Sequence, residues 1–367
     1  MKIGILTAGG DCPGLNAVIR GFAKYIYHQI PKAQIIGIAD GYRGLIEKET
    51  KPLKESDFSG ILTVGGTILG TSRQPFKQMT IEDQNGESRL EVMKKNYKAL
   101  DLDLLVCLGG AGTHKTAALL SYEGCNIIGL PKTIDNDLWG TDVTFGFHTA
   151  VDIATECIDR IHTTASSHGR TMLIELMGNK VGWLTLYAGI AGGADIILLP
   201  EIPYNPDLIV KDINQRFKNG KDFNIIAIAE GAMSLKEAKM KKAERLEYRN
   251  GAATSTQLLA QYISEKAGVE TRVVVPGHLQ RGGSPSPYDR LLSTEMGSFA
   301  GKLVQDGNFG TTVAFQNNQI TYNALSDIAG KTKYVPEDHQ LIEVGRSIGV
   351  TFGDGKDFEG ITPQPIV

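Results

Sequence analysis

Short apolar runs that each end in a loop of glycines or acids constrain this chain more than any other feature. Lys2-Ile3-Gly4-Ile5-Leu6-Thr7 leads into Gly9-Gly10-Asp11-Cys12-Pro13-Gly14 and then a helical stretch from Leu15. Leu104-Leu105-Val106-Cys107-Leu108 leads into Gly109-Gly110-Ala111-Gly112-Thr113 and a helix former at 114–120. Cys125-Asn126-Ile127-Ile128-Gly129-Leu130 leads into Pro131-Lys132-Thr133-Ile134-Asp135-Asn136-Asp137. Runs of this length closed by turn residues read as buried strands, and strands alternating with helices give a parallel α/β sheet. Such sheets place their ligands at strand ends, where these loops would open.

Residues 172–178 and 224–230 read as two more central strands. Between 147 and 161, Ala150, Ala154, Cys157 and Ile161 recur at helical spacing. A chain of 367 residues is long enough for a substantial core and two domains. The stretch 236–249 is dominated by Lys, Glu and Ala and reads as a solvated helix or mobile segment. No short-period repeat marks a solenoid. A net charge of −3 argues against nucleic-acid binding, which needs a basic surface. Apolar stretches such as Ile196-Ile197-Leu198-Leu199 are too short to span a bilayer. The cysteines Cys12, Cys107, Cys125 and Cys157 are far apart and read as buried hydrophobes of a reduced protein. With no signal-peptide cleavage site after Met1–Leu6, a cytoplasmic location is expected.

A glycine loop ahead of a helix turns backbone N–H groups toward an anion while the helix offers its positive end. One such loop alone is equally well a plain strand-to-helix turn. Two in one sheet favour a phosphorylated donor, and the glycine-rich turn 65–73 adds Arg73, whose guanidinium can bridge two phosphates. In the acid loop, alternate positions would set Thr133, Asp135 and Asp137 on one side of an extended backbone. One carboxylate can then take a hydroxyl proton while the other holds magnesium or orients its neighbour. An Asx-rich turn capping a helix is the alternative reading. Gly277-His278-Leu279-Gln280-Arg281-Gly282-Gly283 supplies a histidine and an arginine suited to anionic oxygens.

These loops, in this order, closely resemble the 6-phosphofructokinase family from residue 1 to about residue 325. Further tokens are Pro13-Gly14-Leu15-Asn16, Ser167-His168-x-Arg170, Met177-Gly178, Gly192-Gly193, Glu230 and Thr271-Arg272. The resemblance implies an α/β fold of two domains, each with a mostly parallel central sheet flanked by helices. It assigns 1–146 plus 280–329 to a larger, donor-phosphate-binding domain. A smaller, sugar-phosphate-binding domain takes 147–279 plus 330–367, including a C-terminal extension. The implied reaction is phosphoryl transfer to the 1-hydroxyl of fructose 6-phosphate, a step of glycolysis. Asp135 would be the base, with Thr133, Asp137 and Arg73 beside it. Gly10, Arg73, Gly109, Gly110, Gly112, Thr113 and Lys132 would hold the donor. Thr133, Asp135, Met177, Gly178, Glu230, His278 and Arg281 would hold the sugar phosphate. Arg170 and Arg272 would reach that site from a neighbouring subunit, making the active form a homodimer or homotetramer.

Three departures from the family pattern stand out. Ala111 replaces an acid that helps hold magnesium, so Mg2+ must rely on Asp135, Asp137, phosphate oxygens and water. Asn179 follows Met177-Gly178 where arginine is common. The segment from Lys333 onward exceeds the short bacterial form, and within it 348–354 reads as ordered. Gly112 leaves room for the α-phosphate and nucleoside of ATP, whereas Lys132 occurs in pyrophosphate enzymes. Longer ATP-dependent members combine the two, and ATP is the expected donor, with pyrophosphate the alternative. Arg20 and Arg160 match regulatory positions of the short bacterial enzymes, but Lys24 and Asp195 replace other residues, which puts the usual effectors in doubt. A regulatory or sugar-phosphate-sensing homologue and another Gly-Gly-x-Gly-Thr kinase, of the diacylglycerol or NAD type, are the rival readings. His28, His114, His148 and His162 read as surface or packing residues.

Overall fold

The computed structural model describes residues 1–84 and 86–356. Along the chain run strands β1 (Lys2–Ala8), β2 (Gln34–Ile38), β3 (Thr50–Leu53), β4 (Leu104–Gly109), β5 (Ile127–Pro131) and β6 (Thr171–Leu176). They are followed by β7 (Ile196–Leu198), β8 (Asn224–Ala229), β9 (Thr271–Val274), β10 (Thr311–Gln316) and β11 (Gln319–Ala324). The chain divides into two compact units, Met1–Ala150 with Arg281–Lys333, and Val151–Gln280 with the segment from Tyr334 onward.

The first unit holds a seven-stranded sheet in the order β11-β10-β5-β4-β1-β2-β3. Its centre is parallel, and the pairs β2–β3 and β10–β11 at its two edges are antiparallel. β4 and β5 are buried along their whole length, as their unbroken apolar runs require for strands covered on both faces. Helices Leu15–Gln29 and Pro287–Gln305 pack at close range through Gly21 and Gly297. A Cβ on Gly21 would sit 2.8 Å from the Thr294 carbonyl oxygen, so only glycine permits this approach.

The second unit holds an all-parallel sheet in the order β7-β8-β6-β9. Leu173, Ile196, Leu198, Ile226 and Ile228 form its core with Ile209 and Ile263 from the flanking helices. The chain beyond Lys333 is ordered here as far as it is described. Thr351 bridges to Ile196, Phe352 is fully buried, and Arg346 pairs with Asp354 at 2.7 Å. The stretch expected to be ordered, 348–354, is part of this packing, while 357–367 lies outside the described residues.

The run 236–249 is mostly exposed and largely helical, as expected of a solvated helix, with Leu235–Ala238 and Lys242–Tyr248 as short helices, but Glu237 and Arg249 are buried. Arg249 Nε meets Glu237 Oε1 at 2.7 Å, and the Ser255 hydroxyl donates to that same oxygen at 2.8 Å. A buried charge needs such partners, and they come from a later loop that the charge pattern does not reveal.

Candidate active site

In the first unit the loops leave the sheet at one level. Ala8 stands in register with Gly109, and Gly109 with Pro131, so Gly9, Gly110 and Lys132 emerge side by side from β1, β4 and β5. The boundary between β1 and β4 is also where strand order reverses, the usual crevice for ligands in an open α/β sheet.

Both helices that follow begin without a described side-chain cap. Helix Leu15–Gln29 starts after Gly14, whose φ of 102° needs glycine, and helix Ala111–Tyr122 starts after Gly110. Uncapped first-turn N–H groups favour an anion. The second helix starts earlier than expected, so Ala111, Gly112 and Thr113 form its first turn and not a free loop. The reason lies in its anchors. The Thr113 hydroxyl donates to the Ala8 carbonyl at 3.4 Å, and the His114 ring spans Gly110 O at 3.0 Å and Thr312 Oγ1 at 2.8 Å. Burial lowers the His114 pKa to about 4, which keeps this packing imidazole neutral. A Cβ at Gly112 would meet nothing within 4 Å.

The turn 65–73 folds back onto the first glycine loop. Gly9 N–H donates to Ser72 O at 3.0 Å, and the Thr71 hydroxyl donates to Gly9 O at 2.7 Å. Asn16 clamps the turn from both sides, donating to Val64 O at 3.0 Å and accepting from Ile68 N–H at 2.8 Å. Arg73, next along, is exposed. Arg281 lays its guanidinium over Gly10 where any Cβ would stand, with its Nε buried and without a hydrogen-bond partner among the described residues. Beneath these loops Cys12 is fully buried, and burial pushes its thiol up to about 12.

The acid loop is turned, not extended. Asp135 N–H donates to Thr133 Oγ1 at 3.0 Å, and Asn136 adopts a φ of 53°, a region Asn tolerates better than most residues. The alternate-position argument therefore gives way to a hydroxyl bridge from Thr133 to Asp135 N–H, and the same side chain helps lower the Asp137 pKa. Asp135 and Asp137 are half-buried while Ile134 and Asn136 are buried. Burial raises the Asp137 pKa, offset in part by its own N–H, Lys132, Thr133 and Lys333. Lys132 is 4% exposed and its ammonium donates to the Gly10 carbonyl, joining the acid loop to the glycine loop. Among the described residues no three His, Cys, Asp or Glu side chains gather around one point. A divalent cation at this loop would draw on the carboxylates of Asp135 and Asp137, two residues apart in the chain, and take its other ligands from phosphate and water.

In the second unit Met177 and Gly178 follow β6 and Glu230 follows the adjacent β8, with Leu176 and Ala229 in register. Glu230 Oε1 accepts the N–H groups of Gly178 at 3.2 Å and Asn179 at 2.7 Å. Gln280 Oε1 accepts from Met177 N–H at 3.3 Å. His278 is exposed. Arg170 and Arg272 lie elsewhere, at the beginnings of β6 and β9, where Glu270 binds both; Arg170 Nε meets it at 3.0 Å. Six strand residues separate that end from Gly178, roughly 20 Å.

The sequence pattern of the Phosphofructokinase family matches residues 2–304. The chain belongs to the phosphofructokinase family. It is 56% identical over 357 residues to the ATP-dependent 6-phosphofructokinase of Spirochaeta thermophila, covering 96% of this chain and 97% of that protein. It is 46% identical over 354 residues to ATP-dependent 6-phosphofructokinase 3 of Bacteroides thetaiotaomicron, covering 96% and 100%. The crystal structure of Pichia pastoris phosphofructokinase in the T-state superposes with a TM-score of 0.75 at 31% identity. That match spans 89% of this chain and 35% of the yeast chain.

As a phosphofructokinase the chain departs from the common pattern in ways the geometry makes concrete. Asn179 stands at φ 56° with its N–H on Glu230, a left-handed position that suits Asn. Asp195, which replaces the residue the family resemblance would place there, is turned inward. It pairs with Arg216 at 2.5 Å and accepts Ile225 N–H at 2.8 Å. Arg160 pairs with Glu156 one turn away on an exposed face. Asn16, Asn136, Thr144, Glu270 and Gln280 organise these loops without having been singled out as site residues. Asn16, Asn136 and Gln280 sit inside the sequence motifs, whereas the pairing of Glu270 with its arginines needs the strand register to be seen.

Proposed function

We propose that this chain is an ATP-dependent 6-phosphofructokinase, moving the terminal phosphoryl group of ATP to the 1-hydroxyl of fructose 6-phosphate. The observation that carries this reading is the level at which three loops emerge, two glycine loops and one acid loop on adjacent strands. Such an array can hold a polyphosphate beside a base. The uncapped helix starts at Gly14 and Gly110, with Gly10, Gly109, Gly112 and Thr113, cradle donor phosphates. Arg73 brings positive charge to the phosphoryl in flight, where charge spreads over its oxygens, and Arg281 holds the sugar phosphate.

Asp135 takes the proton of the 1-hydroxyl as the new O–P bond forms and the bond from the γ-phosphorus to the β–γ bridging oxygen breaks. ADP leaves, and fructose 1,6-bisphosphate is the product. Thr133 fixes the base by accepting its backbone N–H and keeps Asp137 oriented. Asp135 and Asp137, with phosphate oxygens and water, would hold magnesium, which would supply charge neutralisation at the donor. Lys132 adds a buried cation near the glycine loop.

Glu230, Met177, Gly178 and His278 bind the sugar. Arg170 and Arg272 bind its 6-phosphate in the site of a neighbouring subunit, because their strand ends stand roughly 20 Å from Gly178 within one chain. The working form is therefore a homodimer or homotetramer acting in the cytoplasm. Open space at Gly112 favours ATP, whereas the buried Lys132 is what favours pyrophosphate as a second reading. The test is product formation by the purified protein and by Asp135→Asn. The unmodified protein should make fructose 1,6-bisphosphate from ATP, and the variant should lose ~10²–10⁴ in kcat while still binding fructose 6-phosphate. No product from either donor, or a variant with more than a tenth of the turnover, defeats the reading.

A further inference from the structure

We propose that Lys333, just past the length of the short bacterial form, is a positioning residue that holds the acid loop in its working shape. The inference rests on the function proposed above and deepens it. Lys333 Nζ donates to Asn136 Oδ1 at 3.0 Å, to Thr141 O at 2.8 Å and to Asp142 O at 2.8 Å. An ammonium group carries three N–H donors, one for each of these acceptors. Its own backbone N–H donates to Asp137 O at 2.9 Å, and the preceding Thr332 bridges to Leu138. One residue thus grips both arms of the loop, 136–138 going out and 141–142 coming back.

The grip centres on Asn136, which lies between the two carboxylates. Its Oδ1 accepts from Lys333 and from Thr144 N–H at 3.1 Å, and the Thr144 hydroxyl donates to Thr133 O at 2.7 Å. The left-handed φ of Asn136 aims Asp135 and Asp137, and the side-chain bonds hold that backbone in place. The bonds of Lys333 reach Asn136 and the loop backbone, and the ammonium charge also acts on Asp137, whose pKa it helps hold down. A base displaced by about 1 Å can cost ~10²-fold in rate, so a loosened loop should be felt in turnover before it is felt in binding.

The experiment uses the full chain, with initial rates on both ATP and pyrophosphate so that the choice of donor does not decide it. Lys333→Met should lower kcat at least ~10-fold with both KM values within ~3-fold of the unmodified enzyme. Amide exchange should rise within 133–144 and stay unchanged in β6 and β8. In an Asn136→Ala background the same change should lower kcat less than ~2-fold further, since the ammonium then holds only Thr141 O and Asp142 O and no longer the residue between the two carboxylates. Should Lys333→Met fail to fold, Lys333→Arg replaces it; a guanidinium cannot converge three donors from one atom, so the same split is expected. A variant with kcat within ~2-fold of the unmodified enzyme, or with full additivity over Asn136→Ala, overturns the inference while leaving the proposed function standing. An unmodified protein inactive with both donors overturns both.

Discussion

The ammonium group of Lys132 donates to the backbone carbonyl of Gly10, so the first residue of the acid loop is tied to the first glycine loop. Burial lowers the Lys132 pKa, with Cys12, Asp135 and Asp11 pulling the other way. A lysine placed like this has a task in the loop whatever the donor is. Its presence is therefore compatible with ATP, and the donor question moves to Gly112.

Gly112→Asp should abolish use of ATP while leaving the fold intact. Apart from its chain neighbours and the helix's own backbone, no atom of the described residues lies within 4 Å of the added Cβ, so the effect is expected on the ligand. A carboxylate beside the donor adds bulk and like charge, and repulsion across a few Å costs on the order of several kcal/mol when poorly solvated. Melting temperature and kcat/KM for ATP check this together. Unchanged ATP kinetics in the variant would show that the space beside Gly112 is not on the donor's path.

Hybrids should reveal the shared sugar site. A chain carrying Asp135→Asn and a chain carrying Arg170→Ala are each expected to be inactive alone. Mixed oligomers should regain part of the activity through sites that combine an intact base with an intact arginine. Verified hetero-oligomers with no recovery would mean that each site is built within one chain.

Stability should fall with pH through the His114 window. The unfolded imidazole takes a proton below about 6.5, but the folded one does so only near pH 4. The folded state therefore loses stability as pH drops from 6.5 to 4, by on the order of 3 kcal/mol at most, and the loss levels off below. His114→Gln should flatten that part of the profile measured by thermal unfolding. An identical slope in the variant would mean that other groups carry it.

The parts of this molecule that were legible in the sequence are the local ones. Glycine loops after apolar runs announce strand ends because both signals lie within a dozen residues, and Gly9, Gly110 and Lys132 emerge within about a residue of where that reading puts the strand ends. The shape of the acid loop was not legible. It depends on Lys333, 197 residues further on, and on a hydroxyl bridge that turns the backbone where alternation would extend it. Glu237 and Arg249 were hidden for a similar reason, since a run of Lys, Glu and Ala gives no hint that Ser255 will bury their charges. The start of the helix at Ala111 was missed because Thr113 and His114 are anchored to Ala8 and Thr312, partners on other strands.

The central claim is that this phosphofructokinase spends ATP. Its most direct test is kcat/KM of the unmodified protein for ATP and for pyrophosphate, each at saturating fructose 6-phosphate with magnesium present. The account predicts that the ATP value exceeds the pyrophosphate value by at least ~10²-fold, the discrimination that a few kcal/mol supplies. A pyrophosphate value above the ATP value would contradict it and make Lys132, not Gly112, the residue that reports the donor.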